Sequence, residues 1–142
     1  QLQDFDMWIR ILKSCSIKIS HERLINYRIH NNNLSSNNNE KRTHFELAMI
    51  YKTFLDDLSW DFLKKAFPDD ISFRSYENEL ELEIEKTFLL LKHNNKIVQF
   101  IGAERIFKHL EDEEYKKMIF ENHNFSMGDL FSLTNNFTLT NN

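Results

Sequence analysis

Two short stretches of this 142-residue chain hold the side chains whose types and spacing suit chemistry. The first, QDFDMWIR, sets Asp4 and Asp6 two residues apart where helical apolar spacing begins, and the N–H groups and dipole at a helix start favour ionised carboxylates. Such a carboxylate can act as a base or can cap the helix, and Asp4 taken by itself reads as an N-cap. Residues i and i+2 diverge around a helix, so Asp4 and Asp6 do not share one site; one is left for chemistry and the other for capping. The second stretch, NYRIHNNNLSS, lies about 20 residues further on and brings Arg28, His30, Asn33 and Ser35 close together in sequence.

Together QDFDMWIRIL and YRIHNNNLSS resemble the last catalytic-domain motifs of family 2 glycosyltransferases, inverting enzymes of the GT-A type that use nucleotide-sugar donors. The family's first motif runs Glu/Gln-Asp-aromatic-Asp-Leu-Trp-Leu-Arg, with its first Asp as the general base. That position is Asp4 here, preceded by Gln3 where Glu is more usual. The second motif, Tyr-Arg-x-His and a small polar stretch, is matched by Tyr27, Arg28, His30, Asn33 and Ser35. The resemblance covers residues 1–40. It implies that Asp4 deprotonates the acceptor hydroxyl as its oxygen attacks the anomeric carbon. It makes His30 a metal ligand or diphosphate contact and Arg28 a phosphate contact, with Asn33 and Ser35 lining the donor or acceptor site. Plainer alternatives stand beside each role: a strand-end histidine at His30, a salt bridge from Arg28 to Asp4 or Asp6, and loop residues at Asn33 and Ser35. A divalent ion, Mn or Mg, would assist the leaving diphosphate in the complete enzyme.

The family also requires an upstream nucleotide-binding half with a strand-end Asp-x-Asp, and the 142 residues do not include one. The DFD at 4–6 matches that pattern formally but opens an amphipathic helix. The chain by itself is therefore expected to be inert, the C-terminal part of an enzyme of cell-surface glycan synthesis in bacteria. The alternative is a non-catalytic helical protein-interaction module.

The elements that must position these residues follow from periodicity and composition. With 2 Gly and 1 Pro the chain has few residues for tight turns, which favours helices over a sandwich or barrel, and neither Gly102 nor Gly128 belongs to a phosphate-binding loop. Phe5, Trp8, Ile9 and Leu12 follow helical spacing over 4–15 and are most simply core residues. Ile17 and Ile19 alternate with polar neighbours, and the stretch from Leu24 to His30 is β-branched and aromatic, which predicts a short β pair joined through SHER. NNNLSSNNN at 31–39 reads as a loop. Helices are predicted near 40–57, 59–67 and 76–93, then from Ile97 to Leu110 and after EDEE around Tyr115, with a final turn after Ser126 near MGDLFSL. ELELEIE reads as a solvated acidic face, Trp60 as a helix-packing residue, and the TNNFTLTNN terminus as frayed.

The expected fold is thus mainly α with a short β pair near the N-terminus: residues 1–40 end a GT-A type α/β catalytic domain and 41–142 form a helical extension. Residues 1–55 hold 8 Lys/Arg against 5 Asp/Glu, and 56–142 hold 10 against 17, so nucleic acid is not the expected partner. The implied partners are a nucleotide-sugar donor and a glycan acceptor, with peripheral membrane association and a homo-oligomer left open. The lone Cys15 reads as a buried apolar residue of a reducing compartment. His21, His44, His93, His109 and His123 have no metal-ligand spacing, and the opening QLQDFD has no signal-peptide pattern, which points to a cytoplasmic fragment at or away from the inner membrane face.

Overall fold

Polar side chains set most of the helix starts. A computed structural model describes residues 2–26, 40–73 and 77–135, and these form α1 (Gln3–Ser14), α2 (Glu40–Thr53), α3 (Trp60–Ala66), α4 (Glu79–Leu91), α5 (Lys96–His109), α6 (Glu113–His123) and α7 (Met127–Thr134). Ser59, Asn78, Asn95 and Asp112 each accept a hydrogen bond from a backbone N–H of the first turn they precede, satisfying donors that a helix start leaves without a partner. At α7 the Asp129 carboxylate accepts from both the N–H and the hydroxyl of Ser126. Asn124 ends α6 in the left-handed region at φ 49°, a conformation Asn adopts more readily than branched residues do.

The core forms around α4 and α5, which run antiparallel with Leu91 beside Gly102 and Thr87 beside His109. α2 and α7 pack on α5, and α6 packs on α4. Ile84, Phe88, Leu91, Val98, Ile101 and Ile106 are buried between them, together with Leu55, Leu63, Ile119 and Leu130 from the surrounding elements. The helical period of residues 80–91 holds, but ELELEIE is not a solvated face. Glu81 and Glu85 are buried, because neighbours surround α4 on more than one side and backbone N–H groups bond one oxygen of each carboxylate.

The predicted β pair does not form, and with it the expectation of a closing piece of a GT-A type α/β domain is overturned. Residues 16–26 carry neither strand nor helix, Ile17, Ile19, Leu24 and Ile25 are exposed, and there is no strand among the described residues. Alternation of Ile17 and Ile19 stabilises a strand only where a neighbouring strand completes its hydrogen bonds and a core receives one face. Here the helices bury their apolar faces on one another and leave neither. Residues 27–30 of the second predicted strand, the loop at 31–39 and residues 136–142 of the terminus lie outside the described residues. Cys15 is exposed rather than buried, at the end of α1 where the chain leaves the bundle.

Gly102 has the tightest steric constraint. A Cβ there would stand 2.6 Å from the backbone N of Leu91 and 2.8 Å from its Cα, atoms that no side-chain rotation can move away. Gly102→Ala is expected to lose about 3 kcal/mol of stability in urea unfolding, overpacking outweighing the better helix propensity of Ala. A variant as stable as the parent would show that the two helices have room to separate.

Candidate functional site around α1

Leu2, not Asp4, occupies the N-cap of α1, and it supplies no side-chain cap. Asp4 is therefore a helical residue of the first turn and does not play the capping role its position suggests. Its side chain is exposed, and no hydrogen bond or ion pair reaches its carboxylate among the described residues. Asp6 faces away from it and pairs with Arg10 one turn later at 3.0 Å. Trp8 lies one turn after Asp4 on the same flank and is 47% exposed, with Phe5 and Leu12 exposed beside it. The spacing that predicted core residues was helical as expected, but only Ile9 of the four turns inward to burial. Arg28, His30, Asn33 and Ser35 lie outside the described residues.

The opposite flank of α1 borders the rest of the chain. Leu2 N–H donates to the Glu46 carboxylate at 2.8 Å, and Lys13 Nζ donates to the carbonyl of Thr53 at 3.1 Å and to Asp57 at 3.2 Å. Between these ties opens a cleft of about 750 Å3, lined by Asp6, Arg10 and Lys13 from α1 and by Asp56, Asp57, Phe54 and Phe62 across from them. The cleft thus contains Asp6, not the Asp4 that the sequence singles out. Its far wall is held by two further cations: Arg105 donates to the Lys52 carbonyl and, at 2.6 Å, to Asp56, while the buried Lys86 donates to the Asp56 carbonyl at 2.8 Å. Lys13 of α1 and Arg105 of α5 therefore meet the carbonyl end of α2, where the helix dipole is negative, and Lys86 of α4 takes a carbonyl of the turn that follows it.

A second group of polar side chains escaped the sequence reading. Glu85 of α4 is fully buried, and its Oε1 accepts the N–H groups of Ser72 and Phe73 at 2.7 Å each. His123 of α6 stacks on Phe88 with ring centroids 3.7 Å apart, takes an edge contact from Phe73, and sets Nδ1 3.4 Å from the Ser72 hydroxyl. Burial pushes the Glu85 carboxyl up from its ordinary value, and burial, aided by Lys92, pushes His123 down to about 4. His123 is consequently neutral near pH 7, and its Nε2, 3.7 Å from Glu85 Oε1, forms no salt bridge there. His109 is half-buried; it stacks on Tyr115 and reaches the Thr87 hydroxyl at 3.1 Å, and desolvation lowers its pKa. Neither position carries a local sequence signal, because the partners are distant in the chain.

No group of three or more His, Cys, Asp or Glu side chains able to hold a metal ion occurs among the described residues, and the divergence of Asp4 from Asp6 gives the physical reason at α1. The described residues do not by themselves fit the divalent ion that the resemblance implies. No helix among them is long and apolar enough to cross a membrane. No family model, curated protein or solved structure matches the chain.

Lys13 is the cation that ties the last turn of α1 to the bundle. Lys13→Met should speed amide hydrogen exchange across Ile9–Lys13 by about fivefold, the loss of about 1 kcal/mol of charged hydrogen bonding, and leave α4 and α5 protected as before. Unchanged exchange in α1 would mean that Ile9 packing alone holds the helix.

Proposed function

We propose that this chain is the C-terminal part of an inverting family 2 glycosyltransferase in which Asp4 is the general base for the acceptor hydroxyl. The observation that carries this reading is the state of α1. The motif carboxylate of Asp4 is exposed and free of partners among the described residues, on a flank whose Phe5, Trp8 and Leu12 are left uncovered by a bundle that completes its core without them. A carboxylate that takes a proton in the reaction must not be committed to a structural bond, and Asp6, bound to Arg10, is so committed. In this reading the sugar donor and its divalent ion, Mn or Mg, are held by an upstream half, with Arg28, His30, Asn33 and Ser35 contributing to the donor or acceptor site. The motif residues support it and no sheet does, since residues 16–26 form no strand.

The second reading, a non-catalytic helical interaction module, draws on the same uncovered flank of α1. Isothermal titration of UDP with Mn2+ distinguishes the two: binding to the encoded protein extended upstream of Gln1, and not to residues 1–142 alone, supports the enzyme. In that longer protein Asp4→Asn should preserve donor binding and lower transfer by about 10²–10⁴-fold, the range for loss of a general base. Turnover near the parental rate would remove Asp4 from the chemistry, and absence of nucleotide binding by either protein would favour the module.

A further inference from the structure

The α3–α4 connection is held against α4 by two charged residues two turns apart. Glu85 receives the N–H groups of Ser72 and Phe73, and Lys92 donates to the Asp70 carbonyl at 3.1 Å. His123 closes this arrangement from α6, its ring flat on Phe88 at an interplanar angle of 3° and edge-on to Phe73. Two buried polar atoms here, Glu85 Oε2 and His123 Nε2, have no hydrogen-bond partner. Protonation would give the ring a second N–H donor, and Nε2 has no acceptor within hydrogen-bond distance among the described residues. Glu85 Oε1 stands 3.7 Å from Nε2, too far for a hydrogen bond, and already accepts two backbone donors, so a shift of the carboxylate towards His123 would be at the expense of those bonds.

We propose that the seat of His123 against Phe88 and Glu85 is an acid-sensitive latch: proton uptake by His123 frees α6 from α4 while α4 and α5 remain paired. Among the described residues, the charged and titratable groups acting at this seat are Glu85 of α4 and Lys92 at its C-cap, with the Ser72 hydroxyl facing it from the connection and uncharged Phe125 beyond the end of α6. Lys92 is cationic and opposes a charge on His123. Glu85 works in the other direction: a carboxyl raised above its ordinary 4.5 contributes stability below that value and loses it as pH rises through its folded value. For His123, lowered from 6.5 to about 4, docking is fully stable above 6.5 and is lost as pH falls towards 4, because the released ring takes the proton first. The α6–α4 contact is small beside the α4–α5 pairing, so α6 is the element that yields.

Hydrogen exchange of the parent and His123→Phe proteins, compared at pH 7 and pH 5, tests the latch, since the chemical pH dependence of exchange cancels between them. The phenyl ring keeps the stack on Phe88 and cannot be charged. In the parent, opening of 113–123 relative to α4 should rise by about twentyfold between the two pH values, and in His123→Phe it should not rise. The same acid response in both proteins would overturn the proposal. NMR titration of the His123 ring in the parent provides a measurement that needs no variant: the ring should remain neutral while α6 is protected, and a midpoint near 6.5 with α6 still protected would overturn it equally.

Discussion

At Gly102 the backbones of α4 and α5 come so close that one methyl group would overlap the peptide of Leu91. Much of the bundle depends on that approach. It lets α4 sink between its neighbours until Ile84, Glu85 and Thr87 lose all contact with water, and it brings Thr87 within reach of His109. With the pair fixed, α2 and α7 pack against α5 and α6 against α4. Burial on several sides accounts for the unusual population of α4, where a glutamate, a lysine and a threonine sit in the core and each has a backbone group as partner.

The carbonyl end of α2 is the second organising point. Lys13 and Arg105 reach it from α1 and α5, Lys86 of α4 takes the Asp56 carbonyl in the turn just beyond, and their carboxylate partners Asp57, Asp56 and Glu83 offset the gathered positive charge. This accounts for α2 stopping at Thr53 although the apolar period continues through Phe54 and Leu58. The Lys52 and Thr53 carbonyls accept Arg105 and Lys13, and Thr53 also accepts the Asp56 N–H as the chain turns. It also explains the position of α1, which is tied on by Lys13 and Leu2 along one flank and leaves Asp4 and Trp8 on the other.

Of the candidate site, the identity of α1 and the divergence of its two aspartates were legible from spacing, because the helical period decides both. The state of each carboxylate was not. Asp6 is occupied because Arg10 follows it by one turn, a pairing visible in the sequence once the helix is placed, whereas no partner reaches Asp4 among the described residues. Glu85 and His123 were illegible for the same reason in reverse. One stands in a run of glutamates that looks solvated and the other near a helix end, and only the packing of α6 on α4 brings them within 3.7 Å.

The sequence by itself determined the helices: their periods, their Ser, Asn and Asp caps, and the scarcity of Gly and Pro that leaves little room for other folds. These are local properties, set within a turn or two of chain. Which apolar faces are covered was decided only by tertiary structure, so Trp8 lies exposed while ELELEIE is largely buried, and Ile17 and Ile19 alternate without a strand to pair with. Burial, ladder formation and the ionisation of a side chain each depend on a partner distant in the chain. A pattern of residues records the capacity for such a contact, and the packing of helices around Gly102 decides where it is met.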